Sequence, residues 1–218
     1  MNLENAIKEA SKKLKNNKII SHELDAQIIL ADIMGIKREF LITNDKINIS
    51  KGVLEKYNIA IKRRINNEPI AYIIGKKEFW SQDFFTNRST LVPRPETEIL
   101  IEDILLNFNQ TNLSVLDLGT GSGAIGLSLK KEKKEWDVYC SDISINALEV
   151  ANKNSLKNNL EVNFICCDWL NAFKPNSFDL LISNPPYIKT NDIRLKSDGL
   201  SYEPLEALVS GTDRKSVV

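Results

Sequence analysis

Ser114-Val-Leu-Asp-Leu-Gly-Thr-Gly-Ser-Gly-Ala-Ile-Gly126 is the stretch that decides how this chain folds. A short apolar run of strand length meets three alternating glycines and then a helix-forming segment. Gly119, Gly121 and Gly123 allow a tight turn and a close approach of backbone to a ligand. The helix that starts near Ala124 presents free N–H groups at its positive end, where a carboxylate or phosphate is stabilised.

Strands and helices alternate from this point. Ser114–Leu118 reads as a strand, Ala124–Lys131 as a helix and Trp136–Ser141 as a strand. Asn146–Asn158 reads as a helix, with strands over Val162–Cys166 and Phe178–Ser183. The pattern predicts α/β class: a doubly wound, Rossmann-like parallel sheet. Upstream, Ala6, Ala10 and Leu14 recur at helical spacing, as do Leu24, Ile28 and Ala31 before a stop at Gly35. A third helix runs from about Lys51 to Asn66 and ends at Glu68-Pro69. Residues 1–75 therefore read as a small helical bundle. Residues 76–92 read as a β-hairpin linker, aromatic and β-branched, with its turn near Asn87. Pro93-Arg-Pro-Glu-Thr-Glu98 opens a further helix that reaches about Phe108, with Pro95 in or near its first turn.

Composition narrows the chemistry. The 218 residues are 42% hydrophobic, enough for a substantial core, and Lys+Arg balance Asp+Glu at 29 each. Zero net charge argues against affinity built on many phosphate contacts. No run of 18 apolar residues suggests a membrane span, and Met1-Asn-Leu-Glu lacks the basic start of a secretory signal. A cytoplasmic location is expected. Cys140, Cys166 and Cys167 show no metal spacing and read as small buried hydrophobes. No metal site is expected. His22 is the only histidine, expected at a helix start and solvated, which argues against a histidine-based triad or a His-rich zinc site.

The glycine loop alone is open to three readings. It fits a plain tight turn, and Gly121-Ser-Gly-Ala-Ile-Gly126 also fits a dinucleotide fingerprint. Three neighbouring acids favour S-adenosylmethionine. Asp117 sits at the first strand tip, where a carboxylate meets an amino group. Asp142 ends the second strand 23 positions after Gly119, close to the offset of a ribose-binding acid. Asp168-Trp169 ends the third, offering an acceptor and a ring for an adenine.

Asn184-Pro-Pro-Tyr187 follows the fourth strand and addresses the reaction itself. An amide or aromatic –NH2 is a poor nucleophile because its lone pair is delocalised. Two acceptors, the Asn184 side-chain oxygen and the Pro185 carbonyl, can hold both N–H bonds so that the lone pair faces a methyl group. Pro185 and Pro186 stiffen the loop. Tyr187 walls or stacks on the planar group. Such a reaction needs orientation and electrostatics rather than a histidine.

The combination resembles the peptide-chain release-factor glutamine methyltransferases. The matching stretches are Glu23–Ala31, Glu68-Pro-Ile-Ala-Tyr72, Glu78-Phe-Trp-Ser81, Val92–Glu98, Asp117–Gly123, Asp168-Trp169, Ser183–Tyr187 and Tyr202–Leu208. The resemblance implies transfer of a methyl group from S-adenosylmethionine to the side-chain nitrogen (N5) of the glutamine in a release factor's Gly-Gly-Gln loop. It implies cofactor roles for Asp117, Gly119, Thr120, Gly121, Ser122, Gly123, Asp142, Asp168, Trp169 and Asn184. Asn184, Pro185 and Tyr187 take the catalytic role, and they and Pro186 hold the glutamine together with Phe85. Arg94, Glu96 and Glu98 read equally well as an ion-paired helix start. Residues 1–75 are expected to grip the release factor, and the chain to act as a monomer without direct nucleic-acid contact.

Seven-stranded relatives have the order 3-2-1-4-5-7-6, and this chain supplies strands 3-2-1-4. The methyltransferase domain, 93–211, is therefore expected to be C-terminally truncated, with strand four an apolar edge. Asp213-Arg-Lys-Ser-Val-Val218 matches translation of GAT CGG AAG AGC GTC GTG, a common sequencing adapter. Residues 212–218 are expected to be a non-native tail. Two other functions are compatible with the motifs: a nucleic-acid amino-methyltransferase acting on adenine N6 or guanine N2 of a flipped base, and a non-catalytic fragment that only binds release factor.

Overall fold

A computed structural model describes residues 1–196 and 199–210. The expected tail at 212–218 lies outside the described residues. The chain divides into two compact units, Met1–Ile74 and Gly75–Val218.

The first unit holds helices α1 (Leu3–Asn16), α2 (His22–Met34), α3 (Arg38–Thr43), α4 (Lys51–Ile65) and α5 (Ile70–Ile74). The sequence predicted three of these. The other two are a six-residue and a five-residue helix, too short to show periodicity. Leu3, Ala6, Ala10 and Leu14 of α1 are buried, in the expected phase. In α2 the buried apolar stripe is Ala26, Ile29, Leu30 and Ala31, whereas Leu24 is exposed. That phase is a correction, and a buried ion pair sets it. Asp25 is 3% exposed because its carboxylate accepts from Arg64 Nε at 2.7 Å. Glu68 is buried in the same way, against Arg63 Nε at 2.7 Å and Nη2 at 2.9 Å. Both acids belong to stretches that carry the family resemblance. His22 is half-buried, with Nδ1 at 2.9 Å from Ser11 Oγ.

The second unit begins with an antiparallel hairpin, β1 (Lys76–Phe79) and β2 (Gln82–Phe85). Its turn is Trp80-Ser81, both at positive φ (48° and 53°), and not Asn87 as expected. Glu98 stabilises that turn by accepting from the Trp80 N–H at 2.8 Å. Asn87 makes a separate turn that receives the N–H groups of Ser89 and Thr90. After a short 3-10 turn at Pro95–Thr97 comes α6 (Glu98–Asn107).

Next are β3 (Ser114–Leu118), α7 (Ala124–Glu132), β4 (Asp137–Asp142), α8 (Ile145–Asn158), β5 (Asn163–Cys166), β6 (Leu180–Ser183) and the one-turn α9 (Leu205–Leu208). The sheet is parallel with order β5-β4-β3-β6, the expected 3-2-1-4 arrangement. In β3 the successive residues Val115, Leu116, Asp117 and Leu118 are all buried, so both faces of the strand are covered. Edge strands behave differently. Cys166 is exposed at the end of β5 and Cys167 only half-buried, which corrects the expectation of three buried thiols; Cys140 on central β4 is fully buried. Leu181 on β6 is about half exposed.

Asn154 of α8 ties hairpin to glycine loop. It is fully buried, donates to the carbonyls of Phe85 (3.0 Å) and Ser122 (2.9 Å), and accepts from the Phe85 N–H at 2.6 Å. Asn154→Ala strands these backbone groups and should destabilise the unit by about 2–4 kcal/mol. Urea unfolding checks this; a loss under about 0.5 kcal/mol, the level of an ordinary surface substitution, would contradict it.

Candidate active site

All four parallel strands end on the same side, and the loops leaving those ends line one cleft of about 480 Å³. Gly119, Thr120, Gly121 and Ser122 come from the loop after β3. Asp142, Ile143 and Ser144 follow β4, Cys167, Asp168 and Trp169 follow β5, and Asn184, Pro185 and Pro186 follow β6. Further lining comes from two segments, Ser89–Arg94 and Pro204–Ser210.

The glycine loop is shaped by two carboxylates. Asp142 Oδ2 accepts from the Gly121 N–H at 2.9 Å, and its Oδ1 accepts from the Ser144 N–H at 2.9 Å at the start of α8. Each oxygen keeps a second lone pair, so Asp142 can still receive a ribose hydroxyl. Asp117 is placed differently from the expectation. It is 1% exposed and is not among the residues that line the cleft. Its Oδ2 accepts from Thr120 Oγ1 at 2.6 Å and from the Gly126 N–H at 2.9 Å, clasping the loop to the first turn of α7. The register faces Asp117 into the packing between β3 and α7, and Gly126 allows that closeness. A Cβ at Gly126 would lie 2.6 Å from Cys140 Sγ and 3.1 Å from Asp117 Oδ2.

The three loop glycines also separate. Gly119 and Gly121 have positive φ (76° and 56°), and a Cβ built on either meets nothing within 4 Å. Backbone there lies bare to the cleft. Gly123, the N-cap of α7, is absent from the lining; its Cβ would strike Leu127 at 2.9 Å and Ala151 at 3.2 Å. Its role is packing.

Trp169 is half-buried in the lining at φ 47°, beside the exposed Asp168. Ser183 Oγ donates to the Leu118 carbonyl at 2.8 Å and holds the base of the Asn184 loop against β3. Tyr187 is 64% exposed and lines a second cavity of about 310 Å³, together with Asn184 and Pro185. Phe85 lies outside both cavities. Strand alternation sends Phe84 into the core, while the Phe85 ring lies 5.4 Å from Lys153 Nζ on α8. Arg94 lines the cleft, and its partner is Glu203, at 2.5 Å from Nη2, rather than a residue of its own helix start. Glu203 and Asn154 are structural participants that spacing could not reveal, because their partners lie 109 and 69 positions away.

Residues 95–197 match the model of the methyltransferase small domain, and residues 5–75 that of the PrmC N-terminal domain. A release factor glutamine methyltransferase of Buchnera aphidicola subsp. Schizaphis graminum is 42% identical over 98% of this chain and 77% of its own. One from Leptospira interrogans is 40% identical over 93% of this chain and 73% of its own. The chain belongs to the release factor glutamine methyltransferase family. It is thus a methyltransferase, and S-adenosylmethionine is its methyl donor. Among solved structures, a Pyrococcus furiosus methyltransferase aligns over 58% of this chain and 61% of its own, at 24% identity and a TM-score of 0.42. That overlap carries no argument about the site.

The cleft suits this donor in size and chemistry. It offers bare backbone at Gly119 and Gly121, acids at Asp142 and Asp168, and the Trp169 ring.

Two outcomes are expected. Gly121→Val puts a branched side chain at φ +56°, which costs about 1–2 kcal/mol, and fills the bare approach. Affinity for S-adenosylmethionine by calorimetry should fall at least about tenfold; unchanged affinity would exclude a backbone contact there. The second outcome concerns pH. Burial pushes the Asp117 carboxyl up to about 6, against the pull of the Thr120 and Gly126 bonds. A folded value above the ordinary 3.8 means the group's contribution is whole below that pH and is lost as pH rises through about 6. Relative to Asp117→Asn, the wild type should lose stability between about pH 4 and 7 in urea melts. A rising or flat difference would contradict this.

Proposed function

We propose that this chain methylates the side-chain amide nitrogen of the glutamine in the Gly-Gly-Gln loop of peptide-chain release factors. The observation that carries the reading is the junction at Asn184-Pro185. These two residues line both the cleft of the glycine loop and the neighbouring cavity with Tyr187. A group held there lies between a donor site and open surface. The names of the relatives supply the substrate.

S-adenosylmethionine supplies an electrophilic methyl group on a sulfonium. The chain supplies geometry. The Asn184 side-chain oxygen and the Pro185 carbonyl accept the two N–H bonds of the substrate amide and turn its lone pair toward the cleft. Pro185 and Pro186 keep those acceptors aimed, and Tyr187 covers the amide plane. No base is required before transfer: as the N–C bond forms, the sulfonium S–CH3 bond breaks and S-adenosylhomocysteine leaves with the electron pair, and the extra proton then passes from the nitrogen to solvent. Gly119–Ser122, Asp142, Asp168 and Trp169 hold the donor. Asp117 and Gly123, assigned to the donor from sequence, support the loop from beneath instead.

Residues 1–75 form the release-factor-binding domain in this reading, 76–92 a hairpin linker, and 93–211 the catalytic domain. The zero net charge supports a protein substrate over nucleic acid. No helix among the described residues is long and apolar enough to cross a membrane; we infer action in the cytoplasm, as a monomer.

Incubation with methyl-labelled S-adenosylmethionine and either release factor or nucleic acid tests the assignment. Label is expected on the release-factor glutamine; label on nucleic acid alone would overturn it. Asn184→Ala should retain donor binding and lose about 2–4 kcal/mol of transition-state stabilisation, a fall in kcat of about 10²–10³-fold. Near-normal turnover in that variant would remove Asn184 from the mechanism.

A further inference from the structure

We infer that Glu203 is a positioning residue for methyl transfer, fixing the Asn184–Tyr187 loop through the segment that follows it. The inference rests on the role proposed above for Asn184.

Glu203 is 5% exposed, in a loop just before α9. A buried carboxylate is costly unless paired and hydrogen-bonded. Its two oxygens are matched to two donors from one distant segment: Oε2 accepts from the Val92 N–H at 3.1 Å, and Oε1 from Arg94 Nη2 at 2.5 Å. Glu203 thus fastens the segment 203–210 to the segment 92–94. Both are walls of the cleft.

The same segment grips the catalytic loop. The Ile188 N–H donates to the Leu208 carbonyl at 2.9 Å, and the Ser210 N–H donates to the Ile188 carbonyl at 3.0 Å, forming a parallel bridge between Ile188 and Val209. Ile188 directly follows Tyr187. The upstream end of the loop is held by β6, where Ser183 pairs with Leu118. The downstream end is held by this bridge. Helix α9 has four residues, too few to be stable alone, so the bridge is only as firm as the anchor that holds its segment. Glu203 provides that anchor with charge and geometry together. Its bonds to Val92 and Arg94 do not involve the donor-side loops, which are held by Asp117, Asp142 and Asn154.

A positioning role separates turnover from donor binding. Glu203→Ala removes both contacts, whereas Glu203→Gln keeps an acceptor for the Val92 N–H and removes the charge facing Arg94. Expected for Glu203→Ala is a fall in kcat of about 10–100-fold, the scale of a small misplacement of reacting groups. Glu203→Gln should fall between it and wild type. The dissociation constant for S-adenosylhomocysteine should stay within about threefold of wild type in both. Amide hydrogen exchange at Ile188 and Ser210 should accelerate in both. Wild-type kcat in both variants would overturn the inference. So would donor affinity that falls in step with kcat, since that marks general loosening. Should Glu203→Ala fail to fold, Glu203→Gln decides alone. Should wild type transfer no methyl to release factor, the proposed activity fails separately. Exchange at Ile188 then decides: faster in Glu203→Gln supports the anchor, unchanged overturns it.

Discussion

One buried carboxylate holds the centre of the catalytic unit. Asp117 lies one residue before the end of β3, is almost wholly out of water, and binds both Thr120 in the glycine loop and the Gly126 N–H in the first turn of α7. The loop and the helix start are therefore set by the strand beneath them. The arrangement requires Gly126, since any side chain there meets Cys140 and Asp117. It also gives the Gly126 N–H, in the first turn of that helix, an acceptor. Gly119 and Gly121 are left with bare backbone facing the cleft.

From that fixed loop the site extends outward in two tiers. Asp142 and Asn154 tie the loop to the start and the middle of α8. In the second tier, Glu203 and the Ile188–Val209 bridge connect segments that are far apart in sequence. The cleft that both tiers border also contains Asn184 and Pro185. One tier presents rigid donor-binding backbone, and the other a loop whose aim depends on long-range contacts. Such a division lets donor affinity and turnover respond to different substitutions.

Much of this was legible in the sequence because it is local. The βαβ alternation, the glycine spacing and the loop after β6 each occupy one short window, and periodicity and turn chemistry resolve them. The place of Asp142, Asp168 and Trp169 in the cleft lining followed from their strand-end positions. That of Asp117 did not, because a strand tip fixes position but not which way the side chain faces. The register sends it under the loop. The Trp80-Ser81 turn is hidden in the sequence because Trp80, its first residue, is not a usual turn former. It is held at positive φ by Glu98, 18 positions from Trp80. The stripe of α2 was misphased because a buried acid, Asp25, reads as solvent-facing until Arg64 is seen beside it. Partners remote in sequence are invisible to any pattern in a single chain.

The most direct measurement is a crystal structure of this protein with S-adenosylhomocysteine. The sulfur is expected near the Asn184 side chain, with room for reacting atoms at about 3–3.5 Å once a methyl and an amide are in place. The ribose is expected at Asp142 and the adenine at Asp168-Trp169. Adenine at Asn184-Pro185, or a ligand lying away from Gly119 and Gly121, would contradict this arrangement.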